Sequence, residues 1–202
     1  MKSFRKTAVL ALSGLIALLA FPLTATAQST FQAVNAGNFD PQGAAPASAG
    51  TLVRKAGASK GNGSHGSISL QLALRDLDAN ASYSVWWIIF NYDNPCIAAQ
   101  SCMGPDLDGV VNAGGFVTGT DGTANMTAEL DVGPISKGKA FFGELKDSFG
   151  DEIHIIVESH GDSTVGDVAA QISVAGAACN QGDGYCVDQQ FVVFPPMMNP
   201  HD

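Results

Sequence analysis

The stretch that decides the fold is SISLQLALRDLDANASYSVWWIIFN, residues 67–91. In its first part apolar and polar residues alternate, so that Ile68, Leu70, Leu72 and Leu74 share one face. This period of two predicts a half-buried strand over 67–77, since successive side chains of a strand point to opposite faces. The polar run at 78–80 predicts a turn after it.

The second part of the stretch, residues 83–91, is apolar on both faces and predicts a strand that must be covered on both sides. Trp86 and Trp87 are adjacent, so they point to opposite faces and cannot form one stacking platform. We expect Trp87 in a core between two sheets and Trp86 beneath the long segment 92–115. The alternative is that Trp86 is exposed as a binding surface.

Further short strands are predicted over 152–159, 168–175 and 189–194, and a hairpin is predicted where 115–119 and 123–130 flank Thr120-Asp121-Gly122. With 23 glycines and few charges, these patterns favour an all-β fold. We expect one antiparallel β-sandwich domain over 49–202, with about eight strands in a Greek-key (immunoglobulin-like) or jelly-roll-like arrangement. Residues 28–48 contain few large apolar side chains and are expected to form a flexible arm, or else to add a strand.

The N-terminus has the pattern of a signal peptide. Lys2, Arg5 and Lys6 precede the apolar run 8–23, and 25–27 read Ala-Thr-Ala, a small-x-small cleavage site. The expected product is secreted or periplasmic, begins at residue 28 and has no membrane anchor. Cleavage removes three of ten basic residues and none of 19 acidic ones, leaving a net charge of −12. Nucleic acid is therefore an unfavourable partner.

Four cysteines remain after cleavage, an even number that predicts two disulfides in an oxidising compartment. The nearest pairs in sequence are Cys96–Cys102 and Cys179–Cys186, although three connectivities are open. A four-thiolate zinc site is the alternative, but it would need reduced thiols.

Most of the candidate chemistry lies in EIHIIVESHGDS, residues 152–163. Alternation puts Glu152, His154, Glu158 and His160 on the face opposite the core. Six residues of continuous strand span roughly 20 Å, so one metal ion cannot bind both histidines. A metal would therefore need one pair plus ligands from elsewhere. The candidate additional ligands are Asp106 and Asp108 of the PDLDG run, together with His65.

Two short motifs resemble those of GDS-type esterases, namely Gly161-Asp162-Ser163 and the Asp151 and His154 pair. In those enzymes the serine block precedes the Asp/His pair on a parallel α/β fold, and here the order is reversed. No helical periodicity supplies the crossovers of such a fold. We therefore predict no catalytic residue.

Four ordered blocks carry a family resemblance: SYSVWWIIFNYDNPC, CMGPDLDG, EIHIIVESHGD and CVDQQFVVF. Over residues 51–194 the chain resembles a family of exported bacterial and archaeal proteins of uncharacterised function. It is more faintly similar to the CHRD-type secreted β-sandwich domain, whose H-x-H block is replaced here by Trp86 or a lone His154. The resemblance implies a β-sandwich and no particular activity.

These patterns favour an exported, non-catalytic binding or structural module that acts on an extracellular ligand or protein partner. The alternative is a metal-binding protein or metal-dependent enzyme that uses the strand from Glu152 to His160. Calcium, zinc or copper is the cofactor that this alternative implies.

Overall fold

The computed structural model shows two antiparallel sheets that face each other. It describes residues 29–40, 43–57, 66–91, 108–135, 140–173 and 186–198. Sheet A has the strand order β1-β3-β4-β7, and sheet B has the order β2-β11-β10-β5-β6-β9-β8. The strands are β1 Ser29–Asn35, β2 Gly37–Asn38, β3 Ala49–Lys55, β4 Ser67–Leu74, β5 Ala81–Phe90, β6 Gly109–Val117, β7 Ala124–Asp131, β8 Gly133–Pro134, β9 Ala140–Leu145, β10 Glu152–Asp162 and β11 Val187–Phe194. The predicted all-β sandwich is confirmed at this level.

The core between the sheets is built from alternate residues of each strand. From sheet A, Leu52 and Leu70 are buried, and from sheet B so are Trp87, Ile155 and Val192. The alternation predicted at the start of β4 is confirmed, because its four apolar residues are all 3% exposed or less. Burial of these apolar faces provides the main driving force for pairing the sheets.

Strand β5 is buried along its whole length, as predicted from its two apolar faces. Trp87 belongs to the core between the sheets. On the opposite side, Trp86, Ile88, Phe90 and Ile156 form a second apolar cluster. We call the side of sheet B that carries this cluster the outer face of sheet B. It is an interior surface, unlike the solvated outer face of most antiparallel sheets.

The predicted hairpin around Thr120-Asp121-Gly122 is wrong. The turn exists, and Gly122 N donates to Gly119 O at 3.2 Å. The strands on either side of it, however, belong to different sheets: β6 pairs with β5 and β9, whereas β7 pairs with β4. The turn therefore carries the chain from sheet B to sheet A, where Met126 and Leu130 of β7 pack against the core between the sheets.

The strand predicted over 168–175 is also wrong, because Val168–Ser173 forms the helix α1. Asp167 begins it, since Asp167 Oδ1 accepts Ala170 N at 3.2 Å, an N-cap contact. The helix lies against β5 and β6. Gly115 permits this approach, because a Cβ there would lie 2.6 Å from Ile172 O.

Residues 29–38 are not the predicted flexible arm. Ser29–Asn35 pairs with β3 as strand β1, and Gly37–Asn38 pairs with β11 as β2. The alternative of an added strand is therefore confirmed. Order here comes from ladder hydrogen bonds and from Gln32, whose Nε2 donates to Pro195 O at 2.9 Å, rather than from large apolar side chains.

A buried arginine on β3 joins the two sheets at one end of the sandwich. The guanidinium of Arg54, which is 0% exposed, donates through Nη1 to Ser148 O at 2.8 Å and to Asp151 O at 2.9 Å. Its Nη2 donates to Pro195 O at 3.1 Å, and its Nε donates to Gln32 Oε1 at 2.6 Å. Burial lowers the pKa of Arg54 to about 10, an effect opposed first by Asp151, so the group stays charged at neutral pH.

We predict that Arg54→Ala lowers the free energy of unfolding by about 4 kcal/mol or more, because several buried carbonyl groups lose their donor. Arg54→Lys keeps the charge but loses the several donors of the planar guanidinium group, so its free energy of unfolding should lie between those of Arg54→Ala and wild type. Urea denaturation measures both. The control is Arg75→Ala, since the side-chain hydrogen bond that Arg75 makes among the described residues is the one from Nη1 to Leu74 O, its neighbour in sequence. Equal losses at the two arginines would contradict a special role for Arg54.

Candidate functional site

The predicted face of β10 is real, but its residues form two separate groups. The strand is continuous from Glu152 to Asp162, with a register shift between Val157 and Glu158 against β11. Six residues of strand rise roughly 20 Å. His154 and His160 are therefore too far apart to bind one ion, as the sequence predicted.

The first group is the pair Glu152 and His154. His154 Nε2 lies 2.5 Å from Glu152 Oε1, and the histidine ring lies 4.7 Å from the ring of Phe90. Both polar side chains are buried. A charge-assisted contact of this kind satisfies a carboxylate in a buried position.

The second group, which we call the polar relay, consists of Ser84, Trp86, Glu158 and His160. Trp86 Nε1 donates to Glu158 Oε2 at 2.8 Å, and Ser84 Oγ donates to the same oxygen at 3.1 Å. Ser84 Oγ also lies 2.9 Å from His160 Nε2. These four side chains come from β5 and β10, where Ser84 pairs directly with Glu158.

The protons of the relay can be assigned from its donors and acceptors. Burial lowers the pKa of His160, although the charge of Glu158 opposes this, so the imidazole is neutral at pH 7. Because the single proton of Ser84 goes to the carboxylate, His160 Nε2 must carry a hydrogen and donate to Ser84 Oγ. Nδ1 then lies 3.5 Å from Cys186 Sγ and accepts no hydrogen bond from it, because a disulfide sulfur carries no proton.

Cys186 is the cysteine that falls within the described residues, and it is disulfide-bonded. The other three cysteines, Cys96, Cys102 and Cys179, all lie outside those residues. The predicted pairing therefore stays a prediction.

Trp86 is not an exposed platform in this structure. Its side chain is 7% exposed and packs with Ile88, Phe90 and Ile156. Of the segment 92–115 that was expected to cover it, residues 92–107 lie outside the described residues, whereas 109–115 belong to β6, which pairs edge to edge with β5.

Of the remaining metal candidates, Asp108 is the one that the structure describes. Asp108 Oδ2 accepts Asn91 N at 2.8 Å and so closes the entry to β6. Asp106 and His65 lie outside the described residues. Within the ranges that the structure describes, no group of three or more His, Cys, Asp or Glu side chains is placed to hold a metal ion.

The esterase-like motifs have structural roles. Asp162 Oδ1 accepts Thr164 N and Thr164 Oγ1, both at 2.8 Å. Asp151 Oδ2 accepts Lys146 N at 2.8 Å and Asp147 N at 2.9 Å. Both carboxylates therefore close turns next to β10.

A cleft that the sequence did not predict opens at the β2 and β11 edge of sheet B. We call it the acidic cleft. It has a volume of about 480 Å³, and it is lined by three carboxylate residues, three amides, an aromatic and a valine. Those residues are Asp40, Asp76, Asp188, Asn38, Gln189, Gln190, Phe39 and Val187.

Two residues of the cleft, Gln190 and Asp188, lie in surroundings that are unfavourable for their polar groups. Gln190 is 3% exposed and donates through Nε2 to Arg75 O at 2.7 Å, but its Oε1 has no hydrogen-bond partner among the residues that the structure describes. Asp188 lies opposite Glu158 in the ladder. Burial, reinforced by the charge of Glu158, raises the pKa of Asp188. The cleft therefore places the carboxyl group of Asp188 next to Glu158 of the polar relay.

Comparison with known proteins adds no assignment. Neither the scan against protein-family models nor the search of curated proteins found a match. The described residues contain no helix that is long and apolar enough to cross a membrane.

We predict that Ser84→Ala lowers the free energy of unfolding by about 1–3 kcal/mol, because His160 and Glu158 each lose a buried partner. Thermal unfolding measures the loss. Ser69→Ala is the matched control, because Ser69 Oγ donates to Glu129 Oε1 at an exposed site. This substitution should lower the free energy of unfolding by less than about 0.5 kcal/mol. If the two serines cost the same, the relay is not a cooperative unit.

Proposed function

We propose that this chain is an exported, non-catalytic binding module whose ligand site is the acidic cleft. The ligand class is an aliphatic diamine or polyamine. The observation that carries the proposal is the set of three aspartates that line one cleft, with Asp188 placed directly opposite Glu158 in the strand ladder. A cationic donor bound there would offset the repulsion between these carboxylates.

The chemistry of the lining favours a cationic ligand. Carboxylates and a carboxamide oxygen only accept hydrogen bonds, whereas a primary ammonium group has three donors and a positive charge. Asp188 strengthens this preference, because burial and, after it, the neighbouring charge of Glu158 raise its pKa, so that its ionised form lacks a compensating cation among the described residues. A cation in the cleft would relieve that repulsion. The strongly acidic chain would also attract such a ligand over a distance.

The shape of the cleft favours an organic ligand. A volume of about 480 Å³ lies within the range of roughly 300–1,000 Å³ typical of small-molecule sites. Phe39 forms part of the wall, is 38% exposed and is held edge-on against Phe191, with ring centroids 5.0 Å apart. Such a ring can contact an alkyl stem or a nearby ammonium group.

The burial of Ser84 and His160, the pair that most resembles a catalytic serine and its base, favours a binding role over catalysis. Ser84 and His160 are in contact, but both are 0% exposed. The Ser84 backbone lies in the ladder between β6 and β10. A serine nucleophile would need substrate access and free backbone donors to stabilise an oxyanion.

The proposal includes export through the N-terminal signal and loops joined by Cys96–Cys102 and Cys179–Cys186. It also includes a Greek-key arrangement of the sandwich. This arrangement is supported by β5 and β6, which pair in sheet B while the flanking β4 and β7 pair in sheet A.

Calorimetric titration of the mature protein with spermidine at low ionic strength tests the proposal. We expect saturable binding that Asp76→Asn and Asp188→Asn each weaken about fivefold to tenfold, as for the loss of about 1 kcal/mol of ion pairing. Asp131→Asn is the matched control, because it changes the net charge equally on an exposed part of β7. Affinity should rise with pH as Asp188 loses its proton, since only the ionised carboxylate attracts an ammonium group.

Three outcomes would contradict the proposal. The first is no binding of spermidine or cadaverine. The second is an equal loss in Asp131→Asn, which would indicate attraction by net charge alone. The third is stoichiometric binding of calcium or zinc without polyamine binding, which would favour the metal-binding alternative.

A further inference from the structure

The outer face of sheet A carries a second surface with different chemistry. Cross-strand register places Thr51, Gln71 and Thr127 in one row over β3, β4 and β7, with Asn125 in the next row. We call these four residues and the groove between them the neutral groove. Ala49 and Ala73 face each other in the row of Asn125, and their short side chains leave a depression of about 370 Å³.

The polar side chains of the neutral groove differ from those farther along the same face. There, Glu129 Oε1 lies 3.4 Å from each of Lys55 Nζ, Ser67 Oγ and Ser69 Oγ, so that half is satisfied internally. Among the described residues, the side chains of the four groove residues have no hydrogen-bond partner. On the outer face of sheet A, the end around Glu129 is therefore charged and hydrogen-bonded within itself, whereas the neutral groove is uncharged and its polar side chains can bond to a ligand.

The groove is suited to a ligand with many hydroxyl groups. Threonine hydroxyls and carboxamides both donate and accept hydrogen bonds, as sugar hydroxyls do. Phe31 pairs with Val53 in the neighbouring row, which also holds Ser69 and Glu129, but it lies on the edge strand β1, is separated from Ser69 by Val53 and is 64% exposed. An exposed aromatic ring beside hydroxyl and amide groups can pack against the apolar C–H face of a sugar ring.

We propose that the neutral groove and Phe31 bind an uncharged polysaccharide chain. The absence of charge in the groove lining favours an uncharged polymer over an anionic one. The groove lining contains no ionised group, so it offers nothing to pair with a carboxylate or sulfate on an anionic polymer. The net charge of −12 after cleavage would repel such a polymer. This proposal does not depend on the acidic cleft, which lies on sheet B.

Affinity electrophoresis of the mature protein tests the proposal with gels that contain hydroxyethylcellulose, laminarin or dextran. We expect at least one of these neutral polymers to retard the protein and polygalacturonate not to do so. Phe31→Ala and Gln71→Ala should each weaken retardation about fivefold or more. Ser69→Ala, in the internally paired half, should leave it unchanged. All three positions lie on the outer face, so the variants should keep the wild-type Tm.

Retardation by none of the neutral polymers would overturn the proposal, as would equal retardation by polygalacturonate. Wild-type retardation of both Phe31→Ala and Gln71→Ala would place the sugar elsewhere on the molecule and overturn it too. A concentration-dependent dimer in sedimentation, abolished by Phe31→Ala, would identify a second copy of the chain as the occupant instead.

Discussion

The buried guanidinium of Arg54 is the constraint on which the rest of the structure depends. Its donors reach the entry to β10 at Asp151 and the exit from β11 at Phe194 and Pro195, while Gln32 joins β1 to the same point. A buried charge is stable only when it is fully hydrogen-bonded and compensated. Arg54 therefore requires that sheet A and the last two long strands meet in one geometry. Strand β11 then carries Asp188 and Gln190 to the acidic cleft.

Sheet B separates two kinds of interior. The side facing sheet A is apolar around Trp87, whereas its outer face combines the Trp86 cluster with the polar relay. Glu158 is tolerated there because Trp86 and Ser84 both donate to one of its oxygens. The same arrangement is unfavourable for ionised Asp188, because burial and the charge of Glu158 raise its pKa. A cation at this edge would offset the repulsion between the two carboxylates.

The sequence predicts the parts of the fold that local periodicity determines. The alternation at the start of β4 and the two apolar faces of β5 identify both strands and the position of Trp87. The turn at Asp121 and Gly122 was recognisable, but its residues do not specify which sheet the next strand joins. In 168–173 the spacing also fits a helix, and Asp167 as an N-cap is the signal that would have indicated it.

The sites are harder to predict because they depend on contacts distant in sequence. The relay joins Ser84 to His160 across paired strands, and alternation alone gave only the face on which His160 lies. The acidic cleft brings Asp40 and Asp76 to Asp188 through the pairing of β2 with β11. The prediction of an arm failed for the same reason, since β1 and β2 are ordered by pairing with distant strands rather than by their own composition.

We expect the ligand to bind at the edge formed by β2 and β11, and chemical-shift mapping can locate it there. Spermidine is titrated into the ¹⁵N-labelled mature protein while the backbone amides are followed. The predicted result is a set of saturable shifts concentrated at residues 38–40, 76 and 188–190, with sheet A unchanged. Shifts that are absent, or that spread over the acidic surface without a centre at this edge, would rule out the acidic cleft as the binding site.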